Sequence, residues 1–184
     1  AYEISTRDWS SDVCSSDLLP LRRDGAGQER RQVAVQRYWL GVIDVDHFKL
    51  VNDEHGHLIG DEVLLLLARL MRSSFRSLDK LYRFGGEEFV VLLRCPCEEA
   101  ALAALQRFRM QVEDYRFPRV GRVTVSIGFT DVRPGDSAPA AVERADFAVY
   151  HAKHAGRNQV WAHAQLVRDG ELADLDKVSD IEFF

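Results

Sequence analysis

The sequence predicts an α/β fold, because segments with the period of a helix alternate along the chain with short apolar segments typical of strands. Residues 61–75 and 98–112 repeat apolar side chains at spacings of three and four. Two apolar runs, 81–84 and 89–93, are separated by a glycine pair and two acids. A glycine pair between two such runs predicts a tight hairpin turn.

The remaining elements follow the same alternation. The predicted order is strand, helical turn, helix, hairpin, helix, strand, helix and strand. Outside the segments already given, the expected bounds are 39–43, 48–52, 123–129, 140–155 and 159–162. Gly156 directly follows the last predicted helix, and glycine commonly ends helices.

Composition limits the possible classes of protein. A chain of 184 residues suits one domain. The formal charge of −5 argues against a nucleic-acid scaffold, and no apolar run reaches the ~20 residues of a membrane span. Three cysteines form no disulfide framework, so we expect a reducing cytoplasm.

Acidic residues stand at two places where strands are expected to end. Asp44 closes the first strand, and Glu87 and Glu88 follow the glycines of the hairpin. Burying an unpaired carboxylate is costly, and adjacent carboxylates repel one another, so a cation would resolve both problems. Mg²⁺ prefers one or two carboxylates together with substrate phosphates. A solvated acidic hairpin is the alternative.

Four motifs together resemble those of the GGDEF family of diguanylate cyclases, which condense two GTP molecules into cyclic di-GMP and release pyrophosphate. The resemblance extends over about residues 39–161. The motifs are DVDHFKLVNDEHGHLIGDEVL (44–64), RFGGEEF (83–89), TVSIGF (124–129) and ADFAVYHAKHAGRNQV (145–160). The resemblance implies a palm-like αβ sandwich, with a mixed or antiparallel central sheet flanked by helices.

The resemblance also implies a metal centre. Two Mg²⁺ ions, with Mn²⁺ as a substitute, would be held by Asp44, Glu87 and the main-chain carbonyl of Val45. Glu88 would be an auxiliary acid. Two such cations activate an attacking hydroxyl and stabilise the leaving oxygen. Whether Glu87 also receives the hydroxyl proton stays open.

Guanine recognition is implied for Asn52 and Asp61. A carboxylate accepts from two adjacent N–H donors of guanine that adenine lacks, so Asp61 should exclude ATP. The alternatives are a helix N-cap for Asp61 and a turn residue for Asn52.

Phosphate binding is implied for a set of basic side chains and main-chain amides. Lys153 and Arg157 are four residues apart and are expected on one helix face, where such pairs are usually only solvated. The full set is Lys49, the amides around His47 and Phe48, Lys153 and Arg157. A transition-metal site formed by His47, His55 and His57 is the weaker alternative, because their spacing does not resemble a zinc site.

The segment from Arg76 to Asp79 forms an RxxD element that five residues separate from Gly85. In the family this element binds cyclic di-GMP as an inhibitor, and Arg107 is expected to add a contact. A helix-end salt bridge is the alternative.

These implications predict an enzyme that is active as a homodimer, with one GTP in each subunit. We expect the cyclase domain at 25–163, a polar tail at 164–184, and an artefactual or disordered segment at 1–24. Residues 8–18 match the translation of a sequencing-library adapter, which supports an assembly artefact. The alternatives are a silent cyclic di-GMP receptor, a dimerising domain that only binds GTP, and another nucleotidyl cyclase.

Overall fold

The computed structural model describes residues 2–3 and 37–172. The predictions for residues 1–24, apart from residues 2–3, and for the end of the tail after residue 172 lie outside these residues. Within the described helices, none is long and apolar enough to cross a membrane.

A six-stranded mixed sheet forms the centre of the fold, in the order β1-β3-β4-β2-β7-β8. All neighbouring strands are antiparallel except β7 and β8, which are parallel. A separate two-stranded ribbon is formed by β5 and β6. The strands are β1 (Tyr2–Glu3), β2 (Arg37–Val45), β3 (Lys80–Gly85), β4 (Glu88–Cys95), β5 (Arg116–Phe117), β6 (Gly121–Arg122), β7 (Val125–Asp131) and β8 (Val160–Ala162).

Within the described residues, five helices accompany the sheet, which confirms the predicted sandwich of a mixed sheet flanked by helices. The predicted apolar stripes of α2 and α3 are buried in the larger of two core clusters. The helices are α1 (Phe48–His55), α2 (His57–Ser74), α3 (Glu98–Asp114), α4 (Ala138–His154) and α5 (His163–Arg168).

The two faces of strand β2 pack against different helices. Trp39, Ile43 and Val45 belong to the larger cluster, which contains the buried residues of α2 and α3. Leu40 and Val42 belong to a smaller cluster with the buried residues of α4. Since side chains alternate along a strand, Asp44 lies on the α4 side of the sheet.

Helix α4 lies very close to the sheet because β7 contains a glycine at the crossing. A Cβ atom at Gly128 would lie 2.1 Å from the carbonyl oxygen of Ala145 and 2.4 Å from the amide nitrogen of Val149. No side chain fits there, so Gly128 sets the depth at which α4 packs.

Helix α5 lies almost entirely in the stretch that we interpreted as a polar tail. Its Leu166 is fully buried, and α5 packs on β7, β8 and α4. The packed part of the chain therefore extends beyond residue 163.

Candidate active site

The centre of the candidate site is Asp44, near the carboxyl end of the central strand β2. Its Cα pairs with that of Glu88 on β4 and with that of Ser126 on β7. The side chain is only 5% exposed, and its Oδ2 lies 2.8 Å from Nζ of Lys153 on α4. The sheet register thus brings two of the three predicted acids side by side.

The electrostatic environment of Asp44 disfavours its charge. Burial raises the pKa of this carboxyl above its usual value, and the nearby Glu87 and Glu88 raise it further. Lys153 opposes the shift through its hydrogen bond and its charge, but the net direction is upward. A desolvated carboxylate beside two other acids is a suitable environment for a divalent cation.

The hairpin that presents the acids is irregular. The register shifts between Arg83 and Gly85, and Gly86 has a positive φ of 49°. The guanidinium of Arg83 donates to the carbonyl oxygen of Gly86 from Nε and Nη2, at 3.1 and 2.8 Å. This fork holds the turn in place, and Glu87 and Glu88 are half-buried beside it.

The helix pair α1–α2 contains the two residues expected to bind guanine. Helix α2 begins at His57, four residues earlier than predicted, with Gly56 as its N-cap. Asp61 is therefore an exposed residue inside the helix, and its alternative role as an N-cap is wrong. Asn52 lies in α1 rather than in a turn.

Gly60 explains how Asn52 reaches this position. A Cβ atom at Gly60 would lie 2.0 Å from Oδ1 of Asn52. The Asn52 side chain therefore rests directly on α2, one residue before Asp61. The structure brings the two candidate guanine ligands to neighbouring positions.

Helix α1 begins immediately after the strand end. His47 is its N-cap with φ 57°, Phe48 is buried, and Lys49 is exposed. Free main-chain amides at a helix N-terminus favour anions. The predicted phosphate-binding amides thus lie within four residues of Asp44.

The expectation that Lys153 and Arg157 share one helix face is wrong. Helix α4 ends at His154, and Gly156 has φ 112°. The Arg157 amide donates to the carbonyl oxygen of Ala152 at 2.9 Å, as in a Schellman motif. Lys153 lies in the last helical turn, and Arg157 lies in the turn beyond it.

Asp46 is a buried acid that was not among the predicted site residues. It is 5% exposed and accepts hydrogen bonds from Thr124, Ser126 and the amide of Asn158. Asp46 lies two residues after Asp44, and side chains at that spacing point to the same side of an extended chain. This Asp-x-Asp spacing is the sequence pattern that could have identified Asp46.

The residues of the RxxD element differ in exposure. Asp79 is buried, and its two oxygens accept from the main-chain amides of Arg76 at 3.0 Å and Arg94 at 3.1 Å. Burial raises the pKa of Asp79 despite these bonds. The Arg76 side chain is exposed, and Arg107 donates to the carbonyl oxygen of Ser74 at 3.2 Å.

The donor set suits a hard cation better than a transition metal. Within the described part of the chain, no three His, Cys, Asp or Glu side chains cluster closely enough to hold a metal alone. Two carboxylates and a main-chain carbonyl, completed by phosphate oxygens, match the preference of Mg²⁺.

Comparison with known proteins gives consistent results. The family model for "Diguanylate cyclase, GGDEF domain" matches residues 25–159. The chain is 44% identical over 170 residues to the diguanylate cyclase DgcP of Pseudomonas aeruginosa, covering 87% of this chain and 25% of that protein. It is 41% identical over 136 residues to the diguanylate cyclase DgcM of Escherichia coli, covering 74% of this chain and 33% of that one.

Solved structures agree with this result. The GGDEF domain of DgcB from Caulobacter crescentus, in complex with c-di-GMP, superposes with a TM-score of 0.66 at 34% identity, covering 70% of this chain and 79% of that chain. The active GGEEF domain of a diguanylate cyclase from Vibrio cholerae gives a TM-score of 0.64 at 34% identity, covering 70% and 83%. The chain therefore belongs to the GGDEF domain family of diguanylate cyclases.

Proposed function

We propose that this chain is a diguanylate cyclase domain that condenses two GTP molecules into cyclic di-GMP and two pyrophosphates. The single observation that supports it most strongly is the buried Asp44 at the end of β2, directly opposite Glu88 and next to the GGEE turn. Family membership makes nucleotidyl transfer the chemistry that this arrangement would perform.

Asp44, Glu87 and the carbonyl of Val45 would hold two Mg²⁺ ions, with Mn²⁺ as a substitute. When bound, the ions lower the pKa of the attacking 3′-hydroxyl and stabilise charge on the departing pyrophosphate. Lys153 balances the charge of Asp44 in this structure and is available to the phosphates of the substrate. Glu88 keeps the local field negative, which strengthens cation binding.

The substrate would extend from the strand end to the helix pair. The first amides of α1, with Lys49 and Arg157, would bind the phosphates. Asn52 and Asp61 would bind the guanine edge. Unpaired polar groups at this base site would make adenine a poor substitute.

Each subunit would hold one GTP, so ring closure requires two subunits facing each other. The 3′-hydroxyl of each GTP attacks the α-phosphorus of the other. Two P–O bonds form, and two bonds to pyrophosphate break. We therefore propose a homodimer as the active form.

Product inhibition at the RxxD element is the proposed regulation. The exposed Arg76 is free to approach a guanine or a phosphate. Because main-chain amides already occupy one acceptor direction of each Asp79 oxygen, Arg76 would supply most of the affinity. Arg107 lies near enough to influence the charge of Asp79.

The test is to incubate the purified chain with Mg²⁺ and either GTP or ATP, and to separate the nucleotides by chromatography. We expect cyclic di-GMP from GTP and no cyclic dinucleotide from ATP. Glu87→Gln should lose this activity, whereas Glu143→Gln, an exposed acid on α4, should keep it. A wild-type chain that binds cyclic di-GMP but never forms it would contradict the proposal and favour a receptor.

A further inference from the structure

Asp46 is a buried carboxylate whose partners come from distant parts of the chain. Its Oδ1 accepts from the hydroxyl of Ser126 at 2.6 Å. Its Oδ2 accepts from the hydroxyl of Thr124 at 2.7 Å and from the main-chain amide of Asn158 at 3.0 Å. All three donors are neutral, and among the described residues Asp46 forms no ion pair, so hydrogen bonds hold this carboxylate in place.

These bonds join three segments around the candidate site. Asp46 lies in the turn between β2 and α1, and its own amide donates to the carbonyl oxygen of Thr124 at 2.9 Å. Thr124 directly precedes β7, and Ser126 is the second residue of that strand. Asn158 lies in the turn between α4 and β8. A single carboxylate thus connects the turn that begins α1 with the turn that follows α4.

Both turns contain strained backbone. His47, Arg157 and Asn158 have φ values of 57°, 65° and 49°. They are three of the four non-glycine residues with positive φ in the described part of the chain. Such conformations persist only where the surroundings hold them. His47 directly follows Asp46, Asn158 donates a hydrogen bond to Asp46, and Arg157 directly precedes Asn158.

The turn after α4 is held from a second side. The side-chain oxygen of Asn158 accepts from Nη1 of Arg109 on α3 at 2.8 Å. This Arg109 nitrogen also lies 2.7 Å from Oε2 of Glu113. Holding the Asn158 side chain in this way restrains the main-chain amide of Asn158, which donates to Asp46. The Asp46 bond then joins this turn directly to the turn that begins α1.

We infer that Asp46 is a positioning residue that aligns the α1 amides with the basic turn after α4, so that both address the same phosphate groups. Its effect on turnover rests on the proposed cyclase function. Its structural role does not, because the bonds join the turns in the protein alone. Since all its donors are neutral, the role of Asp46 requires acceptor oxygens at the correct positions and does not require a negative charge.

This inference distinguishes two substitutions of the same residue. In Asp46→Asn, the amide oxygen replaces Oδ2 and accepts from Thr124 and Asn158, while the amide nitrogen faces a Ser126 hydroxyl that is able to accept. Asp46→Ala removes every acceptor. A direct metal ligand would instead be disabled by either change, because both remove the charge.

The experiment compares Asp46→Ala, Asp46→Asn and Thr124→Val with the wild-type chain. Thr130→Val is the matched control, because its buried hydroxyl lies at the other end of β7 and accepts from Arg144. The readouts are the KM for GTP, kcat, and amide hydrogen exchange of residues 45–49 and 156–159. Thr124→Val serves as the folded variant should Asp46→Ala not fold.

We expect Asp46→Ala and Thr124→Val to raise the KM for GTP by about tenfold, because misaligned amides and basic side chains lose part of their contact with the phosphates. Exchange should accelerate in both turns together. Asp46→Asn should stay nearer to wild type, and Thr130→Val should leave KM and both exchange rates unchanged.

Two results would overturn the inference. One is an Asp46→Asn variant as inactive as Asp46→Ala with normal exchange in both turns, which would make Asp46 a charged ligand. The other is acceleration confined to one turn. If the wild-type chain forms no cyclic di-GMP, the proposed function fails, and the exchange data alone decide whether Asp46 joins the turns.

Discussion

At the scale of single residues, Asp44 has opposite effects on stability and on the proposed activity. Its folded-state pKa is raised, chiefly by burial. Such a group stabilises the fold fully only below its unfolded pKa, about 3.9, and this contribution is lost as pH rises through the folded pKa. At neutral pH the ionised side chain therefore opposes folding.

Asp44→Asn should consequently be more stable than the wild-type chain at pH 7 in the absence of divalent cations. The difference should shrink as the pH falls toward the unfolded pKa, because the wild-type carboxyl then becomes protonated. Urea unfolding at several pH values measures it. If the stability advantage of Asp44→Asn over wild type were smaller at pH 7 than at pH 4, burial would not be what raises the pKa of Asp44.

The two ends of the RxxD element should respond differently to truncation. Asp79→Ala leaves the amides of Arg76 and Arg94 without their acceptor, and should lower the free energy of unfolding by about 1–3 kcal/mol. Arg76→Ala, an exposed change, should stay within about 0.5 kcal/mol of wild type. Chemical denaturation tests both, and equal stabilities would show that Asp79 has no structural role.

Residue types were easier to predict from the sequence than their surroundings. The acids Asp44, Glu87 and Glu88 were identifiable from their places after strands and glycines. The bonds of Asp79 to main-chain amides and the three donors around Asp46 depend on segments up to 112 residues apart in the chain. Only the Arg76–Asp79 bond is local, within the RxxD element, and no local pattern encodes the other contacts.

At the scale of elements, the packing of α4 against β7 positions Lys153. Gly128→Ala should be strongly destabilising, because the added Cβ meets main-chain atoms of α4 that cannot rotate away. We expect a loss of at least about 1–3 kcal/mol, as in overpacked cores. Gly41→Ala is the matched comparison, since its Cβ would meet only side chains, at 3.0 Å or more.

Urea denaturation of both variants, with cyclase assays of each, measures this effect. Gly128→Ala should lose activity together with stability, because α4 moves away from the strand end. Similar stabilities for the two glycine variants would show that the helix adjusts its position freely.

Periodicity located each predicted helix and strand between residues 39 and 162, but element ends were less predictable. Helix α2 begins at His57 because Gly56 provides its start, although residues 57–60 lack a strong apolar pattern. Helix α4 ends before Arg157 because Gly156 adopts a left-handed conformation. Tertiary packing and the backbone conformation of glycine determine where these helices begin and end, and the spacing of apolar residues does not predict those positions.

At the scale of the whole molecule, the proposed reaction requires two copies of the chain. Specific activity should therefore rise with protein concentration until the dimer is saturated. Sedimentation over the same concentrations should show the matching change in mass. Constant specific activity from a chain that stays monomeric would contradict the proposed dimer.

The mixed sheet with flanking helices was predictable because it follows from the order of elements and the family motifs. The bonding of residues 2–3 to β3 and the helix α5 were not predicted, because short segments have too little pattern to be recognised.

The role of Asp44 in the proposed reaction is tested by measuring the cyclic di-GMP and pyrophosphate that the wild-type chain and Asp44→Asn form from GTP and Mg²⁺. We expect two pyrophosphates per cyclic di-GMP from the wild type. The Asp44→Asn variant should fold, and its rate of cyclic di-GMP synthesis should fall more than about 100-fold. That loss is larger than the one typical of a residue that only supports a metal ligand. Undiminished cyclic di-GMP synthesis by Asp44→Asn would contradict the account, since the strand-end carboxylate would then have no part in the reaction.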